Sequence, residues 1–514
     1  MARPATQITI FHEPPFFIMT LTGTEAVRAA AEDAGVRLAT GVPGYPINGI
    51  FTALQGAIGA RWQFNEKIAF EMALGASACG DRAMVVSKHV GLNVMADPLI
   101  ISASHGIGAG IVVVAGDDVG AALSQDEQDS RWYGKLADVP VYDPPGPGEL
   151  YEALLDGFLL SEQISAPAIV RVTEPVLAAS APVARRKMPP PGKQLDRCIW
   201  QYTMLGKRQR YLRDGWTAAS RRSASSSLNR IVRKGRVGII SSGYASAPAA
   251  AMAAASRLSH LSLGMVNPFP RQKVDDFVAE MELVLVCEEA SPFLESQVPS
   301  PKVRGRLTGH LPLWGGLDEQ LITEAVQRLG EAKVPRAIEP ETMESRGFAR
   351  GLCPGCPFAQ VYGAIKSLGV KVASDVGCSI LTANPPYSTV DVACSLGSPV
   401  SVASGFREKG VAMLGDFGLL HTGMQALLNA KLNGCGVLAV LFVNRQAAMT
   451  GGQAVPDVTD IVRATFGEDC MIADAGALTA EQARDDLKKL LGEPGLRIYL
   501  VRGECPADVK QEQH

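Results

Sequence analysis

No apolar run in this chain of 514 residues is long enough to cross a membrane. Near the start, the stretch from Phe11 to Met19 is interrupted by Glu13, Pro14 and Pro15, which removes it as a span. Charge of one sign is also missing: 49 basic against 52 acidic residues leave a net −3, and nothing calls for a nucleic-acid partner. Cysteine is sparse, ten scattered residues in all, too few for a secreted disulfide framework, so a reducing compartment is expected. These absences predict a cytoplasmic protein. Residues 1–19 read as a leader, with Met19 as an alternative start. What is present is 47% hydrophobic residues, enough over this length for two to four domains with substantial cores.

Periodicity divides the chain into three α/β blocks. The first opens with a helix over 24–34, passes a Gly-Pro-rich turn from Gly41 to Pro46, and ends near a strand over 168–171. A basic stretch rich in Ser and Pro follows over 181–235 and reads as a linker, or as an arm that wraps a neighbour. Its charges from Lys207 to Arg233 read as a solvated face, with an anion site as the alternative. The second block holds a strand over 237–242, an Ala-rich helix over 246–258 and a strand over 283–287. The fold class expected is α/β, three doubly wound parallel-sheet domains.

The third block carries the chemistry. A buried parallel strand over 411–414 runs into Gly415-Asp416-Phe417, and a helix over 419–432 follows. Asp416 is thus expected at the carboxyl end of a strand, where doubly wound sheets bind ligands and the next helix aims free amides and its positive end at an anion. A diphosphate fits there. A second apolar run over 437–443 ends in Asn444, and one strand-helix-strand crossover spans the interval, which brings Asp416 and Asn444 to neighbouring strand tips. Their oxygens are hard ligands suited to Mg²⁺ bridging a diphosphate. The Gly451-Gly452 turn favours this over an ordinary loop Asp and turn Asn.

Four cysteines bracket that pattern. Cys353-Pro354-Gly355-Cys356 has close ligand spacing on a tight Pro-Gly knuckle, and Cys378 and Cys505 follow. Four thiolates satisfy either Zn²⁺ or an iron-sulfur cluster. Taken singly, Cys378 and Cys505 also read as buried apolar thiols.

Further strings complete the picture: Asn65-Glu66-Lys67, Lys88-His89-Val90-Gly91-Leu92-Asn93 with Ala96-Asp97-Pro98-Leu99, Ser124-Gln125-Asp126-Glu127-Gln128-Asp129-Ser130-Arg131, Gly377-Cys378 and Ala448-Met449-Thr450-Gly451-Gly452-Gln453. With the Cys-Pro-Gly-Cys-Pro string they resemble the large, thiamine-diphosphate-binding subunit of indolepyruvate ferredoxin oxidoreductase, within the 2-oxoacid:ferredoxin oxidoreductases, over about residues 20 to 510. The resemblance implies a pyrimidine-binding domain over 20–180, the linker or arm over 181–235, a transketolase-C-terminal-like domain over 236–335, and a thiamine diphosphate and Mg²⁺ domain with a proximal iron-sulfur cluster over 336–514. It implies that Glu66 activates the cofactor, because a carboxyl held against the aminopyrimidine ring nitrogen favours the tautomer that removes the thiazolium C2 proton. On its own, a glutamate ahead of a helix over 69–79 reads as a solvated first-turn or capping residue. The resemblance also assigns Asp416, Asn444 and the main-chain carbonyl of Gln446 to Mg²⁺, places Gly415 and Gly451 in the cofactor site, and assigns Cys353, Cys356, Cys378 and Cys505 to a 4Fe-4S cluster.

The activity so implied is oxidative decarboxylation of a 2-oxoacid, an arylpyruvate such as indolepyruvate, with electrons passing through the cluster to ferredoxin or a partner. A smaller subunit, hence a hetero-oligomer, is implied too, and coenzyme A is a candidate acyl acceptor. Several strings depart from the family. The ferredoxin-like segment at its C-terminal end is not in this sequence, so electrons are expected to leave through a partner or soluble carrier. Cys-Pro-His-Arg becomes Cys356-Pro357-Phe358-Ala359, Thr-Pro becomes Tyr45-Pro46, and Asp-Ser-Thr-Phe-Phe-His becomes Asp416-Phe417-Gly418-Leu419-Leu420-His421. These changes fall near the expected substrate and bear on which 2-oxoacid is used. Two other readings are a non-oxidative 2-oxoacid decarboxylase, against which the cluster cysteines speak, and a catalytically silent, zinc-stapled subunit, against which Glu66, Asp416 and Asn444 speak. His89 and His421 read either as donors to the substrate carboxylate or oxyanion or as packed imidazoles. Lys88 reads as a carboxylate attractor or as the partner of a local acid.

Overall fold

The computed structural model describes residues 17–335 and 351–506. Most of the expected leader, residues 1–16, the opening of the expected third domain, 336–350, and the end of the chain, 507–514, lie outside the described residues. Two compact units form. Within the described residues the first takes 17–41, 49–61 and 66–335, and the second takes 42–48, 62–65 and 351–506.

The first unit holds two main sheets. The larger has seven strands in the spatial order Met265–Asn267, Val141–Tyr142, Ala168–Thr173, Ile111–Asp117, Ala83–Lys88, Leu38–Gly41 and Gly59–Trp62. The pairs linking Val141–Tyr142, Ala168–Thr173, Ile111–Asp117, Ala83–Lys88 and Leu38–Gly41 are parallel. All seven residues of Ile111–Asp117 are buried, because helices covering both faces of a parallel sheet demand continuous apolar runs. The smaller sheet orders Val303–Arg304, Leu283–Cys287, Val237–Ser242, Ser259–Leu263 and Asn229–Val232, parallel except at its last pair.

Two features of this unit were not anticipated. Strand Met265–Asn267, from the second block, pairs antiparallel with Val141–Tyr142 of the first sheet. Strand Phe17–Thr22 pairs with Ser180–Arg185, so residues 17–19 of the expected leader and the first residues of the expected linker form a ribbon. The rest of 181–235 includes helices Met204–Arg210 and Thr217–Ser225 and strand Asn229–Val232. Several of its basic residues pair with acids of the first block. Arg208 pairs with Asp138, Arg222 with Asp156, and Arg230 with Glu149 at 2.8 Å. Lys207 is instead buried, its ammonium 3.8 Å from the centroid of the Trp200 ring.

The second unit is built on six parallel strands in the order Val392–Ala393, Val372–Ser374, Gly410–Gly415, Val437–Val443, Leu496–Arg502 and Cys470–Asp474. Alternation along Val437–Val443 splits its side chains between two cores. Leu438, Val440 and Phe442 pack with helices Ala359–Lys366 and Ala480–Gly492, while Val437, Ala439, Leu441 and Val443 pack with helices Pro399–Ser404, Met424–Leu432 and Thr459–Phe466. Each buried aliphatic side chain contributes about 2 kcal/mol. All three main sheets are therefore parallel at their centres and flanked by helices, the α/β class that the periodicity predicts.

Candidate active site

Strands Gly410–Gly415 and Val437–Val443 are direct neighbours, paired in parallel from Gly410 opposite Val437 to Gly415 opposite Phe442. Their carboxyl ends place Asp416 beside Asn444. The Asp416 carboxylate accepts the backbone N–H of Asn444 at 3.1 Å and of Arg445 at 2.6 Å on Oδ2, and of Phe417 at 2.8 Å on Oδ1. Arg445 reaches Oδ2 from a left-handed conformation, φ +59°, a posture uncommon for a residue with a side chain. Burial pushes the Asp416 carboxyl up to about 6 against the pull of those amides. Among the described residues no cation pairs with it. A buried, amide-held carboxylate lacking a counter-ion, with an amide oxygen on the next strand tip, fits a divalent cation by the chemistry of its donors.

The helix after Asp416 opens at that residue rather than at Leu419. It passes through a π turn over Leu419–Gly423 before the regular helix Met424–Leu432, a distortion frequent at functional sites. Two short segments of the second unit line this end. Asn48 accepts the Gly44 N–H at 2.8 Å and donates to the Thr450 carbonyl at 2.9 Å, just before the Gly451-Gly452 turn. Asn65 donates to the His421 carbonyl at 3.2 Å. Gln446 sits on the short strand beyond Asn444, and its N–H reaches Asn444 Oδ1 at 3.4 Å.

Asp375 is a residue whose weight the sequence did not reveal. It follows strand Val372–Ser374, is 2% exposed, and its Oδ1 accepts the N–H of Val376 at 2.8 Å and of Gly397 at 3.1 Å. Its Oδ2 lies so close to Gly418 that a Cβ there would strike it. Burial pushes this carboxyl, too, up to about 6. One side chain therefore ties the segment carrying Cys378 to the loop at Gly397 and to the start of the Asp416 helix. The available signal was an acid at a strand end just before Gly377-Cys378.

The four cysteines gather at the same end of this sheet. Cys353 to Cys356 form a turn closed by the Cys356 N–H on the Cys353 carbonyl at 3.1 Å, with Gly355 at φ +74°. Pro and then a positive-φ Gly at the two centres is the chemistry of a type II turn. A Cβ on Gly355 would come within 3.8 Å of Pro506, which lays the knuckle beside Cys505. Burial pushes the Cys356 thiol up to about 11, and the charges of Cys505 and Cys353 add to that push. The Tyr362 phenol is raised mainly by burial and also by Cys378, Cys356 and Cys505. Asn444 donates its amide N–H to Cys505 Sγ at 3.1 Å, so the segment carrying Cys505 touches the residue at the tip of strand Val437–Val443 directly. All ten cysteines are free thiols. Among the described residues no group of three His, Cys, Asp or Glu side chains is close enough to hold a metal ion. Four half-buried free thiols in one neighbourhood still suit a thiolate-ligated centre by donor chemistry.

The first unit holds Glu66, the first residue of helix Glu66–Ala78 and 6% exposed. The adjoining strand Ala83–Lys88 leads into the long helix His89–His105. Gly91, in the first turn of that helix, leaves the space that Glu66 fills: a Cβ on Gly91 would lie 2.7 Å from Glu66 Oε1. Lys88, half-buried, donates to Ser124 Oγ at 2.9 Å. His89 is 1% exposed and accepts the Asp118 N–H on Nδ1 at 3.4 Å. The ring of His421 lies in the second unit, with Thr422 Oγ1 at 3.4 Å from its Nδ1.

Asp416 and Asn444 stand on adjacent strand tips of a doubly wound sheet, the end at which such sheets bind ligands. Residues 375–492 match the family described as thiamine pyrophosphate enzyme, C-terminal TPP binding domain. Over nearly its whole length the chain is similar to indolepyruvate oxidoreductase subunit IorA. Identity is 31% to the protein of Methanothermobacter thermautotrophicus and 31% to that of Archaeoglobus fulgidus, each over 94% of this chain and 86% of the relative. To the protein of Thermococcus kodakarensis it is 28%, over 97% of this chain and 87% of the relative. The chain belongs to this IorA family of oxidoreductase subunits. Among solved structures it is similar to 2-oxoglutarate:ferredoxin oxidoreductase from Magnetococcus marinus, at 16% identity and a TM-score of 0.49, covering 61% of this chain and 65% of that one.

Proposed function

We propose that this chain oxidatively decarboxylates a 2-oxoacid of the arylpyruvate type, indolepyruvate being the first candidate, and passes the electrons out through a 4Fe-4S cluster. Asp416 Oδ, Asn444 Oδ1 and the Gln446 carbonyl would hold Mg²⁺, and Gly415 and Gly451 would let backbone approach the diphosphate. Cys353, Cys356, Cys378 and Cys505 would hold the cluster. Bound there, thiamine diphosphate supplies an electron sink for loss of CO₂ and the cluster a one-electron relay. Glu66 would hold and exchange a proton at the aminopyrimidine nitrogen, in a pocket where burial limits competing water.

The observation that carries the oxidative reading over simple decarboxylation is the Asn444 amide on Cys505 Sγ. It sets a candidate cluster ligand against a candidate cation ligand, the adjacency that rapid electron removal requires. A cytoplasmic, reducing setting suits four free thiols. Membership of the IorA family supports a smaller partner subunit, with ferredoxin or another soluble carrier as the acceptor and coenzyme A as a possible acyl acceptor. Among the described residues no helix is long and apolar enough to cross a membrane.

The test is iron and sulfide content with low-temperature electron paramagnetic resonance on anaerobically purified protein, given thiamine diphosphate, Mg²⁺ and a panel of 2-oxoacids. A reduced-cluster signal evoked by one class of 2-oxoacid is the expected result. Iron-free protein that still releases CO₂ would replace this reading with the decarboxylase, and zinc in the thiols with no turnover would replace it with the silent subunit.

A further inference from the structure

Beside Glu66, in the first unit, lies a group of polar atoms to which the proposed chemistry has given no task. Lys88 closes strand Ala83–Lys88 and is the N-cap of the 17-residue helix His89–His105, and its side chain does not cap that helix. The amino end of that helix carries a partial positive charge, and Lys88 stands at it as the N-cap residue. Among the described residues that ammonium forms no ion pair; it rests on the neutral hydroxyl of Ser124 at 2.9 Å.

His89 supplies a second, independent sign. Its Nδ1 accepts the Asp118 N–H, so the neutral ring carries its proton on Nε2. That Nε2 is buried and makes no hydrogen bond, the nearest acid being Asp126 Oδ1 at 3.6 Å. A buried donor without an acceptor is costly, and such a group points to a partner that arrives from outside.

The acids nearby are already engaged. Asp118 accepts the amides of Ala122 at 3.1 Å and Leu123 at 2.8 Å, and Asp126 accepts from the Gln128 side chain at 2.7 Å. These bonds fold the segment 118–128 into a strap that lays Ser124 on Lys88. Glu127 fastens the strap, accepting the N–H of Gly120 at 2.8 Å and of Gly315 at 3.1 Å. Leu123, on the strap, is 71% exposed. Burial pulls the Lys88 pKa down while Asp118, Asp126 and Glu66 oppose it, so this cation gains from an anion brought close.

We infer that Lys88 Nζ, His89 Nε2 and the amino end of helix His89–His105 form the subsite for the carboxylate of the 2-oxoacid, with Ser124 holding the place of that carboxylate until it arrives. The inference rests on the proposed function for the identity of the anion. It assigns Lys88 and His89 to substrate orientation: a carboxylate fixed here directs the neighbouring 2-oxo carbon toward the pocket that Glu66 marks.

The test uses the full chain loaded with thiamine diphosphate and Mg²⁺. Isothermal titration compares pyruvate, 2-oxoglutarate, phenylpyruvate and indole-3-pyruvate, each against its methyl ester, on wild type, Lys88→Met and Lys88→Arg. Wild type should prefer the best-bound acid over its ester by about 10- to 100-fold, the range for a charge-assisted hydrogen bond. Lys88→Met should bring that ratio near one with thiamine diphosphate affinity unchanged, and Lys88→Arg should restore part of it. A Lys88→Met protein that keeps the preference, a variant that loses acid and ester equally, or a wild type that prefers none of the acids would overturn the subsite. Acid binding that depends on Lys88 without CO₂ release or cluster reduction would leave the subsite standing and remove the oxidative decarboxylase.

Discussion

A single methyl group at position 91 separates the role of Glu66 from its mere presence. Gly91 lies in a helix, where Ala is intrinsically better than Gly by about 1 kcal/mol. The obstacle is space. A Cβ on Gly91 lies 2.7 Å from both Cγ and Oε1 of Glu66, about 0.7 Å inside the 3.4 Å at which ordinary contact begins, and it lands closer still on the Ser87 hydroxyl. Overpacking of this kind costs about 1–3 kcal/mol, so the net loss of stability is about 2 kcal/mol at most and the melting temperature shifts by a few degrees. Turnover responds differently. Moving a reacting carboxyl by most of an ångström lowers a rate by roughly 100-fold.

Gly91→Ala should therefore stay folded with the same metal content as wild type while 2-oxoacid-dependent CO₂ release falls about 100-fold. Glu66→Gln should fall at least as far, and the double variant no further than Glu66→Gln alone, because both changes act through one carboxyl. Anaerobic turnover assays beside thermal unfolding and iron analysis measure all three variants. Wild-type turnover in Gly91→Ala, or losses that multiply fully in the double variant, would refute the placement of Glu66 in the reaction.

Gly418→Ala tests the hub at Asp375. Gly418 has an ordinary helical φ of −62°, so the consequence comes from its Cβ striking a carboxylate whose other oxygen is pinned by two amides. Thiamine diphosphate affinity by titration should drop roughly 10-fold or more; an unchanged affinity would show that Asp375 does not set the Asp416 loop. Stability against pH tests Glu295, 6% exposed and pushed up to about 7, chiefly by burial, with Glu288 adding to the push and the Leu307 amide opposing it. A carboxyl with a raised folded pKa binds its proton more tightly when folded, so its contribution falls as pH rises from the ordinary value of 4.5 through about 7. Glu295→Gln should remove up to about 3 kcal/mol of that slope, and parallel unfolding curves for the two proteins across this window would exclude it.

The strands that sequence alone located, 237–242, 283–287 and 437–443, coincide with those in the structure, because a parallel strand covered on both faces is built mostly of apolar and small residues. The crossover between 416 and 444 was legible for the same reason. Other features depended on partners distant in sequence. Met265–Asn267 is too short to announce which sheet it joins, and the pairing of Phe17–Thr22 with Ser180–Arg185 closes a loop of most of the first block. Asp375 looked like a neighbour of a cysteine because its acceptor geometry depends on Gly397 and Gly418, which reach it only through the folded chain. Gly91 likewise read as one more letter of a motif until Glu66 was found to occupy its missing side chain.

Strand order explains why Asn rather than Asp suits position 444. Gly410–Gly415, Val437–Val443 and Leu496–Arg502 lie side by side, so their tips deliver Asp416, Asn444 and the segment carrying Cys505 in a row. The middle residue faces an acid on one side and a thiol on the other. An amide can turn its oxygen toward a cation shared with Asp416 while its N–H donates to sulfur, as Asn444 does to Cys505 Sγ at 3.1 Å. A carboxylate at 444 would supply the oxygen but no donor, and would set a negative charge against a thiolate at hydrogen-bond distance, which raises the thiol pKa and opposes the ligand form. The adjacency of the two proposed metal centres thus follows from three parallel strands and one bifunctional side chain.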